Sequence, residues 1–431
     1  MAIRIFESFS GYGSQSMAME RLRRDYLGVE YEVVGISEID KYAIEAYNAL
    51  HPNVTNYGDI SKIDWVEVPD FDLFTWSFPC TDISIAGDQK GFEEGSGTAS
   101  SLAWECLKAI RVKRPKYLLM ENVAQLVSKK NLALFDKLRG AISSLGYDNY
   151  TEILNAKDYG VAQNRPRVFM VSVRRDLGLT YHFPKAFTLE KRLRDYLEPV
   201  VDEKYYLSDK FIKGCIDHCD RKQSEGCGFK FEPTFGEGIA KAISTLAGCR
   251  QTDNFIIEPM ASVHPFSHKF EFNPKTSIKP IAPALRATDY KCPPVVWEPR
   301  VMQVGNIWPD TEKFKNRTMG RVYNPDGISP TINCCGGGDR EPKIVEGEMI
   351  SDNLLDLVQA GLVRIRKLTP RECFRLQGLE DCDIDKIQST GISNSQQYKL
   401  AGNSIAIPCL YHLFRKLFVD TGNEKEQMTL F

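Results

Sequence analysis

FESFSGYGSQSMAMERL, residues 6–22, runs from an apolar strand through a glycine turn into a segment with helical spacing. A helix that begins straight after a strand offers unpaired backbone N–H groups in its first turn, and Gly11 and Gly13 let a ligand approach the main chain there. Plain tight turns have the same look, so the motif needs support from elsewhere. Outward from it, strand-like and helix-like segments alternate: YEVVGI (31–36), KYAIEAYNAL (41–50), FDLFTWSF (71–78), SLAWECLKAI (101–110), YLLM (117–120), LALFDKLRGAISSL (132–145) and RVFMVSV (167–173). That rhythm predicts an α/β fold, a mostly parallel sheet with helices on both faces.

At 431 residues the chain exceeds what one hydrophobic core usually serves, which predicts two unequal domains. The apolar fraction of 42% and charged fraction of 26% are those of a globular protein in water. No apolar run approaches the roughly 20 residues that span a bilayer. The opening MAIRIFESF lacks the length and cleavage site of a signal peptide, so a cytoplasmic protein is expected. In that compartment the 12 cysteines read as free thiols. Cys215, His218, Cys219 and Cys227 are too loosely spaced for a zinc site, and no metal is expected. With a formal net charge of −2, any polyanion must be met by a local positive surface.

After about residue 185 the alternation fades, and Pro, Gly and Asn become frequent between short β-like pieces. The expected division is a first domain at 1–185, a loop-rich domain at 186–365, and a segment at 366–431 that returns to the first. Within the middle part, residues 281–296 and 328–345 share an outline that fits either an internal duplication or two similar hairpins.

Several residues carry chemistry. Glu38, in SEID, follows the second strand, where a carboxylate can accept from ribose hydroxyls. Asp59, in YGDI, can accept from an adenine amino group. Cys80 ends the FTWSFPC strand at the sheet edge where open α/β sheets bind ligands, and Pro79 fixes the backbone before it. A buried inert thiol is the commoner fate of a cysteine, but three features favour a reactive one. MENV brings Glu121 and Asn122 to the same edge, where a carboxyl with a raised pKa could give a proton to a heterocycle. QNRPR places Arg165 and Arg167 two apart ahead of a strand, on one face, to bind phosphate or base. AGNS puts Asn403 in a loop between helical segments, where it could complete a nucleoside pocket.

The ordered set FSGYG, SEID, GDI, FPC, ENV, QNRPR, LTPRECFRLQG and GNS resembles the DNA cytosine-5 methyltransferases, and RVYNPDGISPT with GGGDREPKIV looks like the recognition regions of phage and bacterial restriction-modification members. The resemblance implies a Rossmann-like S-adenosylmethionine-dependent fold with a smaller, irregular, β-rich target-recognition domain at 186–365. It implies Cys80 as nucleophile, Glu121 at the cytosine N3 edge and Arg165 and Arg167 as a flanking clamp. Phe9, Gly11, Gly13, Glu38, Ile39, Asp59, Pro79 and Asn403 would line the cofactor. Double-stranded DNA is the implied partner of a monomer, with a cognate restriction endonuclease possible in the same system but not physically required.

Residues 261–346 hold 12 basic and 9 acidic side chains, a net +3 that suits DNA. Arg317, Arg321, Thr331 and Arg340 are the DNA-contacting candidates there. The chain departs from the family after Pro-Cys, with Thr81, Asp82 and Ile83, and at Ser96, Gly97 and Thr98, where Arg-Gly-Thr is frequent. The nearest rival is a transfer-RNA cytosine-5 methyltransferase, whose corresponding middle segment is typically small. A catalytically silent relative conflicts with the presence of Cys80 and Glu121, and a nicotinamide dehydrogenase explains only the glycine turn.

Overall fold

The computed structural model describes residues 2–79, 99–224, 233–235, 238–243, 245, 254–259, 303–306, 321–323, 343–344 and 363–420. The chain divides into two units: Met1–Glu198 with Glu237–Ala247 and Thr369–Phe431, and Pro199–Gly236 with Gly248–Leu368.

The first unit holds strands β1 (Ile3–Ser8), β2 (Tyr31–Ser37), β3 (Leu73–Trp76), β4 (Tyr117–Val123), β5 (Tyr147–Asn155), β6 (Gln163–Asn164) and β7 (Pro166–Arg174). Six of them form one sheet in the order β2-β1-β3-β4-β7-β5. β1, β2, β3 and β4 run parallel, whereas β7 is antiparallel to both of its neighbours. Helices α1 (Ser14–Asp25), α2 (Lys41–Leu50), α3 (Ala103–Lys113) and α4 (Leu132–Ser144) fall between the strands, as their 3.6-residue patterning predicts. Asp40 caps α2, accepting from the Tyr42 and Ala43 amides at 2.9 and 3.4 Å.

β3 lies between β1 and β4, so neither of its edges is free, and every residue from Leu73 to Trp76 is buried, as expected of a strand covered on both faces. Phe74 and Trp76 on the strand stack with ring centroids 6.5 Å apart, Phe78 just beyond its end meets Trp76 tilted at 5.8 Å, and Phe6 and Phe71 extend the cluster. A large aromatic buried in such a place contributes about 3 kcal/mol or more, so this core makes a rigid base for the loop after Phe78.

The later chain returns through α5 (Asp209–Ser224), which belongs to the second unit, and α6 (Pro370–Leu376), α7 (Asp381–Ser389), α8 (Asn394–Asn403) and α9 (Ile407–Arg415), which belong to the first. Thr369 and Glu372 form a capping box around Pro370, the sequence signature of TPRE. The short strand β9 (Ala240–Lys241) pairs with β6 in the first unit.

The second unit contains β8 (Thr234–Phe235), β10 (Phe255–Pro259) and β14 (Val363–Lys367) in one sheet, and β11 (Gln303–Asn306), β12 (Arg321–Tyr323) and β13 (Lys343–Ile344) in another. The fully buried Arg366 pairs with Glu258 at 2.5 Å, and Tyr206 Oη donates to the other oxygen of that carboxylate at 2.6 Å. Removing one partner would strand a buried charge, so this group fixes the β10–β14 pairing.

Candidate active site

The first wall is the glycine turn. Phe9 (φ 55°), Gly11 (φ 57°) and Gly13 (φ 87°) all take left-handed backbone, which reverses the chain between β1 and α1. At Gly13 a Cβ would come within 2.6 Å of the His51 ring and 2.8 Å of Tyr47, so glycine is required by space as well as by φ. At Gly11 a Cβ would meet nothing within 4 Å, and the neighbouring Ser10 hydroxyl is buried with no hydrogen-bond partner among the described residues. The turn thus leaves room beside Gly11 and one buried hydroxyl unpaired among the described residues.

The second wall follows β2. Glu38 accepts from the Gly11 amide at 2.9 Å through Oε2 and from the Ile39 and Asp40 amides at 2.8 and 2.9 Å through Oε1. The carboxylate is thus held at the end of β2 against the glycine turn, with acceptor capacity left over. Asn56, which the sequence did not single out, fixes it further: its amide accepts from the Glu38 and Gly58 N–H groups and donates to the Glu38 carbonyl, all within 3.2 Å. Ile39 is 72% exposed beside it, an apolar surface suited to a flat ring. Asp59 caps the turn Ile60–Lys62, accepting from the Ser61 amide and hydroxyl and pairing with Lys62 at 3.4 Å. Those hydrogen bonds from Ser61 hold its carboxyl below the usual aspartate range.

At the ends of β3 and β4 the chain presents the third set. Asn122 donates to the Phe78 carbonyl at 3.0 Å, pinning the backbone just before Pro79. Cys80 itself lies outside the described residues. Glu121 is 7% exposed, and Arg167 Nε approaches its Oε1 at 3.2 Å. The antiparallel register explains the contact: Val123 opposes Arg167 and Glu121 opposes Phe169, so Glu121 is a diagonal neighbour of Arg167 on the adjacent strand. Burial pushes the Glu121 carboxyl up, against the opposing pull of Arg167, Arg165 and the Ser77 hydroxyl.

The two arginines do not share one task. β7 starts at Pro166, so the strand alternation that predicted a common face does not extend back to Arg165. Arg165 is 3% exposed and donates to the carbonyls of Ile243, Gly402 and Ser404 at 3.1, 2.8 and 2.5 Å. It ties the QNRPR hairpin to the later segments, while Arg167 makes the ion pair with Glu121.

Asn403 is the last residue of α8, not part of a loop, and it is exposed. Its neighbour Ser404 meets Tyr12 and Ser14 of the glycine turn. Neither Tyr12 nor Ser404 carried a sequence signal of this contact, because the partners are 392 residues apart. Beneath the turn, the buried Glu7 accepts from Ser16 Oγ at 2.7 Å and Tyr47 Oη at 3.1 Å, and desolvation raises its carboxyl to about 7. Of the DNA-contact candidates, Arg321 opens β12, while Arg317, Thr331 and Arg340 lie outside the described residues. Among the described residues no helix is long and apolar enough to cross a membrane.

The family model for C-5 cytosine-specific DNA methylases matches residues 3–419. The chain is 30% identical to the type II methyltransferase M2.ScrFI of Lactococcus lactis subsp. cremoris, over 96% of this chain and 99% of that one. It is also 30% identical to the orphan methyltransferase M.SPRI of Bacillus phage SPR, over 99% of both. Among solved structures, the Entamoeba histolytica methyltransferase EhMeth superposes with a TM-score of 0.58 at 14% identity, covering 97% of this chain and 99% of that one, a likeness of fold.

Proposed function

The chain belongs to the C-5 cytosine-specific DNA methylase family, and on that basis we propose that it methylates carbon 5 of cytosine at a specific sequence in double-stranded DNA. The reaction uses S-adenosylmethionine and proceeds by covalent cysteine catalysis on a flipped base. Relatives named as type II and orphan phage methyltransferases favour a restriction-modification or phage-protection role. The observation that carries the reading is the buried Glu121–Arg167 pair, next in sequence to the Asn122 that holds the chain just before Cys80.

The glycine turn fits the cofactor. Gly11 faces open space, Ser10 offers a buried hydroxyl, Glu38 retains acceptor capacity for a ribose diol, and Phe9 and Ile39 supply apolar surface. Asp59 and Asn403 would complete the pocket, while Gly13 and Pro79 shape its backbone. Bound there, S-adenosylmethionine supplies the electrophilic methyl group.

Carbon 5 of cytosine is a weak nucleophile on its own. The Cys80 thiolate adds to carbon 6, which makes the ring an enamine, and Glu121 protonates or hydrogen-bonds N3 to lower the cost of that addition. After carbon 5 is alkylated, its proton is removed and the carbon 6–sulfur bond breaks, which releases Cys80. These steps need a ring face that duplex stacking hides, so the base must leave the helix. Arg167 holds Glu121 in place, and Arg165 holds the hairpin that carries Arg167. Arg317, Arg321, Thr331 and Arg340 are the proposed DNA contacts, in a monomer acting in the cytoplasm without physical need of a nuclease.

The long segment between QNRPR and LTPRE favours DNA over transfer RNA as substrate. Incorporation of tritium from labelled cofactor into duplex DNA, compared with transfer RNA, tests the reading. Label in DNA alone is expected; label in RNA alone overturns the substrate assignment.

A further inference from the structure

The hydroxyl cluster of Tyr12, Ser14 and Ser404 has no part in the chemistry above, yet it joins the two ends of the first unit. Ser404 Oγ donates to the Ile405 carbonyl at 3.1 Å, lies 2.9 Å from Ser14 Oγ and meets Tyr12 Oη. A serine hydroxyl has one proton and two acceptor lone pairs. With its proton on Ile405, Ser404 accepts from both Tyr12 and Ser14, and its capacity is filled. All three side chains are shielded, at 1%, 3% and 8% exposure for Tyr12, Ser14 and Ser404.

Two further contacts give the cluster its direction. Arg165 grips the carbonyls of Gly402 and Ser404, on either side of the exposed Asn403. Tyr12 stands between Gly11 and Gly13, two left-handed residues with no side chain of their own to anchor the turn, and its ring packs edge-on against Phe374 at 5.8 Å. Tyr12 is therefore the peg of the glycine turn, and Ser404 is the socket. Burial raises the Tyr12 phenol to about 12, so it stays a donor across the working pH range.

We propose that Tyr12, Ser14 and Ser404 are positioning residues that lock the glycine turn to the Asn403 peptide and so preorganise two walls of the S-adenosylmethionine site. The proposal rests on the cofactor reading given above. Its physical content is that the ordering cost of a glycine-rich turn is met during folding and not on binding.

Isothermal titration of the full-length protein with S-adenosylhomocysteine tests it, using Tyr12→Phe, Ser404→Ala and the double variant, with Ser16→Ala as control. Tyr12→Phe keeps the ring and removes only the hydroxyl. Each single change is expected to weaken binding on the order of tenfold, because it leaves buried hydroxyls poorly paired where the turn is set. The double variant should be little weaker than either single, since both break the same network. Ser16→Ala removes a hydroxyl of the same helix that serves Glu7; it should lower Tm and leave affinity unchanged. Unchanged affinity in Tyr12→Phe and Ser404→Ala, with only Tm reduced, overturns the proposal and leaves the cofactor reading standing. So does an equal loss in Ser16→Ala. A wild-type protein that does not bind S-adenosylhomocysteine removes both. Should Ser404→Ala fail to fold, Tyr12→Phe decides alone, as it changes almost no packing volume.

Discussion

Arg167 Nε lies 3.2 Å from Glu121 Oε1, with the two side chains only 18% and 9% exposed. A pair so shielded loses much of its hydration, and it persists only where the geometry returns that cost. Here the balance is uneven: desolvation outweighs the cation, and the carboxyl ends above the ordinary glutamate range. Glu121 can therefore hold a proton to a higher pH than a surface glutamate, while Arg167 stabilises the anion left when the proton is given up. Both properties suit a donor to the N3 edge of a flipped cytosine.

Replacing Arg167 by Ala removes the strongest opposing influence, so the Glu121 pKa should rise further. If Glu121 acts as the acid, the alkaline limb of the kcat profile should move to higher pH in Arg167→Ala even as the maximum rate falls. Glu121→Gln should lower kcat by about a hundredfold or more, with S-adenosylhomocysteine affinity within about twofold of wild type. A pH–rate series on the three proteins checks both statements. A limb that shifts to lower pH would detach the arginine from the carboxyl.

Glu7 ties stability to pH in a definite direction. Its folded pKa of about 7 exceeds the ordinary glutamate value of 4.5, so the folded state holds the proton longer than the unfolded chain. Stability from this site is full below pH about 4.5 and is lost as pH rises through about 7, by roughly 3 kcal/mol in all at 1.36 kcal/mol per unit. Glu7→Gln keeps a carbonyl acceptor for Ser16 or Tyr47 and cannot ionise. Urea unfolding at pH 5 and pH 8 should show the variant gaining on wild type at the higher pH, and an equal difference at both would refute the buried acid.

Gly11 and Gly13 differ in what a methyl group would meet. Gly13→Ala forces a Cβ against His51 and Tyr47 and should cost about 3 kcal/mol or more, whereas Gly11→Ala meets open space and should cost about 1 kcal/mol for its left-handed φ. The smaller destabilisation should come with the more selective loss of cofactor affinity, because Gly11 borders the open space proposed for the cofactor. Chemical denaturation alongside ligand titration separates the two effects.

The parallel half of the sheet was legible because β1 to β4 are apolar runs bounded by glycine, acid or proline turns, each followed by a helix with clear spacing. β5 was not: YDNYTEILN is largely polar and forms the outer strand beyond β7, so no buried stripe marks it. The antiparallel entry of β7 has no sequence signature either, and it is what carries Arg167 to Glu121. Glu38 could be placed by its position after β2, but its support from Asn56 depends on a turn whose side-chain direction no spacing predicts. Arg165 shows the limit of alternation, which applies only inside a strand. Tyr12 and Ser404 meet across nearly the whole chain, a contact that folding alone creates.

In the proposed reaction, Cys80 attacks carbon 6 of a cytosine in duplex DNA. Fluorine at carbon 5 cannot depart as a proton does, so the adduct formed after methyl transfer cannot collapse. A library of random-sequence duplexes carrying 5-fluorocytosine in place of cytosine, incubated with protein and S-adenosylmethionine and resolved on a denaturing gel, should yield a covalent protein–DNA species with wild type and none with Cys80→Ser. No shifted band with wild type, or an equal band with Cys80→Ser, would contradict the mechanism.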